Sequence, residues 1–212
     1  MELTMNGRNA MITGASKGLG LAMAKRFAGA GASVALIARR PDVLADAIKE
    51  VTKAAGGKPG KVVAVPGDVS TAGGCAQVYS AAHEALGAID VLVNNAGSSQ
   101  TGEFEGITDE IWQQDLDLKL FACIRLSRAV FPAMKAQRWG RIINVLNTGA
   151  KAPFANGAPT VVSRAAGMSL TKVLSGEGAP HNVLVNALLV GLIESDQWER
   201  RAEQTGRPLK DI

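Results

Sequence analysis

Hydrophobic positions along the chain fall into two rhythms. The first is a set of short, nearly continuous apolar runs: NAMIT, SVALIA, KVVAV, IDVLVN, RIINVL and VLVNALL, each rich in Val, Ile or Leu. Runs of this length and composition predict strands buried on both faces. Between them lie longer stretches in which apolar and polar residues interleave: residues 19–29, Pro41–Ala55, Ala72–Leu86, 109–137 and 158–176. These are long enough for helices. Pro41 suits a first helical turn, and residues 68–71 offer capping side chains before the third helix. Strands buried on both faces, alternating with helices, predict an α/β fold with a parallel sheet covered on each side. No shift in composition and no internal repeat divides the chain, so residues 1–212 are expected to form a single domain.

Composition narrows this picture. With 47% hydrophobic residues the chain has the material for a core, but aromatics make up only 4%, so that core must be aliphatic. Lys plus Arg exceed Asp plus Glu by 23 − 19 = +4, a mild excess that suits an anionic cofactor or substrate. The basic residues are scattered, without the dense stripe that nucleic acid requires. Two cysteines, Cys75 and Cys123, and two histidines leave no material for a disulfide framework or a metal cluster, so no metal is expected. The start, MELTMNGRNAM, lacks the long apolar segment of a secretory signal, and no run is long enough to cross a bilayer. A cytoplasmic protein without a membrane or nucleic-acid partner is expected.

The first candidate site is TGASKGLG, residues 13–20, between the first strand and the first helix. Gly14, Gly18 and Gly20 allow a tight turn and a close approach of backbone to phosphate, with Ser16 and Leu19 in the same loop. The N–H groups at the helix start then face the anion. The second strand ends in ALIARRP. Where NAD binders carry an acidic residue for the ribose hydroxyls, this chain has Arg39 and Arg40. Guanidinium groups there suit a 2′-phosphate, and Lys17 adds a third cation. NADP(H) is therefore expected over NAD(H).

Together with GDVS (67–70), NNAG (94–97), GRIINV (140–145) and VLVNALLVG (183–191), that glycine turn makes the sequence resemble the short-chain dehydrogenase/reductase family over essentially its whole length. The resemblance implies a Rossmann-type, doubly wound parallel sheet of order 3-2-1-4-5-6 in three α/β/α layers. It implies Asp68 and Val69 beside the adenine, Asn95, Ala96 and Gly97 along the ribose, and Gly191 and Ile193 near the nicotinamide. It also implies a small-molecule substrate. A homodimer or homotetramer is expected, paired through residues 109–137 and 158–176, where Ala165, Ala166, Gly167 and Ser169 permit close helix approach.

Members of this family usually carry an Asn–Ser–Tyr–Lys tetrad, in which tyrosine protonates the substrate carbonyl as hydride arrives. Here the four positions fall on Lys119, Asn147, Thr160 and Arg164, so every member is replaced. The one tyrosine, Tyr79, lies in the helix before the fourth strand and cannot take over. An aliphatic hydroxyl is far too weak an acid to stand in for tyrosine, and arginine stays charged near neutrality. Lys119 alone has usable acid–base chemistry, and burial beside Arg164 would depress its pKa. Two readings follow. In one, Lys119 and Arg164 form a rewired site for an anionic carbonyl compound, Asn147 bonds its oxygen, and Lys119 matters more than Thr160. In the other, reduction is lost and the chain serves as a cofactor-binding or partner-binding protein.

The remaining polar residues carry less. His83 lies mid-helix away from the cleft, and His181 sits in a turn. Asp115 and Asp117 are spaced i, i+2 and do not share a helix face, which argues against a paired-carboxylate hydrolase. Family members usually continue with a substrate-covering loop, a further helix and a seventh strand. Only part of that loop is recognisable, in ESDQWERRAEQTGRP, and the chain stops at RPLKDI. The expectation is a chain incomplete relative to the family, or a sheet of six strands.

Overall fold

The computed structural model describes residues 4–191, 193 and 206. Among the described residues six strands form one sheet: β1 (Asn9–Thr13), β2 (Ser33–Ala38), β3 (Val62–Pro66), β4 (Val91–Asn94), β5 (Gly140–Asn147) and β6 (Val183–Val190). Every pairing is parallel, and the order is β3-β2-β1-β4-β5-β6. The doubly wound arrangement expected from the sequence is the one observed. Leaving β1, the chain goes one way to β2 and later the other way to β4, so a crevice opens at the carboxyl ends of β1 and β4.

The helices are α1 (Gly18–Gly29), α2 (Pro41–Ala55), α3 (Ala72–Leu86), α4 (Asp109–Leu116), α5 (Ala122–Ala136) and α6 (Thr160–Gly178). Pro41 opens α2, and Gly56 closes it in the left-handed conformation at φ 59. Thr71 caps α3 by accepting a hydrogen bond from the Gly74 amide at 3.0 Å. One sheet face packs alanines of α1 and α2 against Ile12, Val34 and Leu36. The other packs larger side chains, among them Met11, Leu92, Leu126, Met134 and Ile142. Leu126 is fully buried, which is worth about 1.5–3 kcal/mol for a side chain of that size. These small residues bring α1 close to the sheet.

Two expected helices differ in detail. The expected helix over 109–137 is a helical run that ends at Ala136, with a π turn, Asp117–Phe121, between α4 and α5. A π turn holds an extra residue, and such turns concentrate at functional positions. Helix α6 begins at Thr160 rather than at residue 158, with Pro159 as its N-cap. At the sheet edge, β6 buries Val183 and Val185 and exposes Leu184 and Leu188.

Candidate functional site

The crevice is a cleft of about 1970 Å³. An ordinary single-ligand pocket occupies roughly 300–1,000 Å³, so this one has room for a dinucleotide and a substrate together. Its floor is the glycine turn. Gly14 and Gly18 have φ of 65 and 55, which favour glycine. Nothing lies within 4 Å of where a Cβ on Gly18 would stand, and α1 starts without a capping side chain. Its first N–H groups therefore face open space that an anion fits. Ser16, Lys17 and Leu19 line this end. Gly20 lies below the cleft, where a Cβ would collide with the Gly14 carbonyl oxygen.

Asn95 braces that turn. Its side-chain amide donates to the carbonyls of Thr13 at 2.9 Å and Gly14 at 3.2 Å. The Thr13 hydroxyl accepts from the backbone amides of Asn95 and Ala96, each at 2.9 Å. Thr13 thus ties β1 to β4 at the crevice, a role the sequence reading missed. Asn95, Ala96 and Gly97 line the cleft, as do Asp68 and Val69. The Ser70 amide, donating to Asp68 at 3.0 Å, holds that carboxyl below its usual range, and the charge of Arg39 adds to the effect. Arg39 and Arg40 are exposed at the tip of β2, beside the glycine turn. Gly191 and Ile193 line the far end. The substrate loop recognised in residues 194–208 lies outside the described residues apart from Gly206.

Of the four residues expected at the tetrad positions, three line the cleft and one does not. Arg164 and Asn147 line the cleft. The Arg164 guanidinium donates to the Val145 carbonyl at 2.8 Å, and burial lowers its pKa. It passes so close to Gly97 that a Cβ there would stand 2.5 Å from Nη2. Asn147 Oδ1 is buried without a hydrogen-bond partner, the situation of a group awaiting a donor.

Lys119 does not line the cleft. Its side chain, 1% exposed, is ion-paired with the fully buried Asp115. It also donates to the Thr160 hydroxyl at 2.7 Å. Burial pushes the Lys119 pKa down to about 8, Asp115 opposes this, and the positive charge of Arg164 adds to it. Thr160 is 4% exposed and joins Arg164 and Asn147 in the cleft wall. Its hydroxyl accepts from the Gln100 amide at 2.9 Å and reaches the Gln100 carbonyl at 2.7 Å. Ser163 donates to the second Asp115 oxygen at 2.6 Å. The sequence analysis weighed Asp115 only against Asp117 and did not single out Ser163, although the i, i+4 spacing of Asp115 and Lys119 carried a signal. Asp117 turns the other way and pairs with Arg125 at 3.2 Å.

Comparison with known proteins places this geometry. The short chain dehydrogenase family profile matches residues 8–206. D-beta-hydroxybutyrate dehydrogenase of Cupriavidus necator is 32% identical over 211 residues, covering 97% of this chain and 80% of that protein. L-Sorbose reductase of Gluconobacter frateurii, solved with NADPH and L-sorbose, superposes with a TM-score of 0.91 at 34% identity, covering 97% of this chain and 77% of that one. An NAD+-bound xylitol dehydrogenase superposes with a TM-score of 0.86 at 27% identity, covering 94% and 76%. The parallel sheet, the glycine turn under an open cleft and the match over residues 8–206 agree: the chain belongs to the short chain dehydrogenase family of oxidoreductases.

Proposed function

We propose that this chain binds NADP(H) in preference to NAD(H) and reduces a small anionic carbonyl compound in the cleft. The observation that carries this reading is the placement of cations along one crevice. Lys17, Arg39 and Arg40 stand at the β1–β2 end, and Arg164 stands beyond β4 against β5. The first three suit a 2′-phosphate. Arg164 suits a substrate carboxylate, or the negative charge that builds on a carbonyl oxygen as hydride arrives. Asn147 completes the substrate end, because its unpartnered Oδ1 would accept from a hydroxyl and its NH₂ would donate. The names of two relatives support the reading: one acts on a hydroxy acid, and one was solved with NADPH.

The experiment is a titration with NADPH and NADH, followed by turnover on 2- and 3-oxo carboxylates against neutral ketones of equal size. Tighter NADPH binding and turnover confined to the anionic compounds are expected. Equal affinities for the two cofactors would reject the NADP(H) preference. One observation favours a second reading, a cofactor-binding protein without turnover: the Thr160 hydroxyl is fully engaged by Lys119 and Gln100. Tight NADPH binding with no turnover of any carbonyl would select it.

The assembly proposed is a homodimer or homotetramer through the outer face of α6. Val162 and Val173 are 48% and 57% exposed, and Ser169 lies between them. Ala165 and Ala166 complete the stripe, whereas Gly167 points inward against Leu146 and takes no part.

A further inference from the structure

Lys119 is buried and lacks a direct route to substrate, yet it touches a hydroxyl that has one. We propose that Asp115, Lys119 and Thr160 form a proton-delivery line into the cleft, with the Lys119 ammonium as the store and the Thr160 hydroxyl as the conduit. This rests on the reductase reading above.

The geometry is continuous. Asp115 holds Lys119 from the turn before it, and its other oxygen is fixed by Ser163. Lys119 Nζ donates to Thr160 Oγ1 at 2.7 Å, and Thr160 stands in the cleft wall. At rest the hydroxyl proton points to the Gln100 carbonyl, 2.7 Å away. A substrate oxygen acquiring negative charge is a stronger acceptor than a neutral amide carbonyl, and a hydroxyl can rotate toward it.

The step balances as follows. A dihydronicotinamide cofactor supplies hydride, whose electron pair forms the new C–H bond at the carbonyl carbon. The carbonyl oxygen takes the proton from Thr160 Oγ1. Thr160 Oγ1 takes one from Lys119 Nζ as its own departs, so the threonine never has to ionise. Lys119 is left as a neutral amine beside Asp115 and is reprotonated from solvent. The carbonyl becomes an alcohol.

The charges around the ammonium suit this task. Asp115 faces it from α4, and Arg164 from α6; Asp117, on the same π turn, is engaged with Arg125 instead. One carboxylate retains the proton, while burial and one guanidinium loosen it. The balance brings Lys119 to about 8, near the working range of a general acid. Asp115 does not reach the cleft and is a positioning residue.

The test has two arms. In the first, the lysine side chains are isotopically labelled, and exchange of the Lys119 Nζ protons with solvent is followed by NMR in the protein without ligand. Thr160→Val is expected to slow that exchange about tenfold, and Thr160→Ser to restore it. In the second, Thr160→Val is expected to lower kcat with NADPH and an oxo carboxylate about 10²-fold, with KM for NADPH unchanged, while Thr160→Ser stays within about threefold of the parent. Asp115→Asn removes the group that raises the Lys119 pKa, so the alkaline fall in kcat should move to lower pH. Exchange indifferent to Thr160→Val, or undiminished kcat in that variant, would overturn the proposal. Absence of all turnover would reject the reductase reading instead, and the exchange arm would still decide whether Thr160 connects Lys119 to the cleft.

Discussion

At the scale of single residues, the buried Asp115–Lys119 pair dominates. Removing one partner of a buried ion pair strands a charge, whereas removing both often costs little. Lys119→Met is therefore expected to destabilise the fold by about 3–5 kcal/mol, and Asp115→Leu with Lys119→Met to recover most of it. Urea unfolding of the two variants checks this; equal losses would show that the ion pair is not the source of the effect. The pair also sets a pH dependence. Lys119 titrates at about 8 when folded, against about 10.4 for a free lysine. Between those values the unfolded chain binds more protons, so this group's contribution to stability rises with pH there, and its burial penalty is full below 8. Cys123 acts in the opposite sense, since burial raises its pKa to about 11 and the folded chain then holds the extra proton. The test is made in a Cys123→Ala background. Stability relative to the variant lacking both Asp115 and Lys119 should climb between pH 8 and 10, and a flat difference would remove Lys119 as its cause.

At the scale of elements, the site depends on how the ends of β1 and α1 meet. Gly20→Ala places a methyl group against the Gly14 carbonyl, which belongs to the backbone and cannot step aside cheaply. Such overpacking costs about 1–3 kcal/mol, and the displaced turn should weaken NADPH binding. Calorimetric titration of this variant checks the second effect. Unchanged NADPH affinity would mean that the turn does not contact the cofactor. Thr71→Ala offers a contrast. It removes the α3 cap, with a cost of about 1 kcal/mol, and leaves the glycine turn in place. The π turn shows how an element can redirect a side chain: Lys119, within it, points into the packed space between α4 and α6 rather than into the crevice.

At the scale of the whole molecule, the parallel order brings chemistry from distant parts of the chain to one end of the sheet. Cofactor preference is the property that tests this arrangement. Arg39→Asp should weaken NADPH more than NADH, because it removes a guanidinium and sets a carboxylate beside Asp68. Paired titrations of both cofactors decide the matter, and parallel losses would show that Arg39 does not meet the 2′-phosphate. The outer face of α6 makes a second prediction at this scale. Val173→Glu should shift sedimentation toward the monomer, since a charge in an apolar contact is costly. A parent that is already monomeric at micromolar concentration would reject the assembly.

Much of this protein is written in local patterns. Apolar runs four to eight residues long, alternating with amphipathic stretches, determined the strands, the helices and their parallel packing, because burial on both faces demands continuous hydrophobicity. The glycines of residues 13–20 determined the tight turn between β1 and α1, since their backbone angles and close contacts exclude other residues. Spacing also singled out Lys119, Asn147, Thr160 and Arg164 as candidates for replaced tetrad members. What spacing could not decide was which replacements face the cleft. Lys119 has a long side chain that could turn either way, and the outcome depended on Asp115 and Thr160, which come from different elements. Asn95 was expected along the ribose, and its amide turned out to clasp the glycine turn across β1 and β4. In each case the deciding partner lies far away in sequence or on another element. Only tertiary packing sets that distance, and burial makes satisfying each polar atom a condition of the fold.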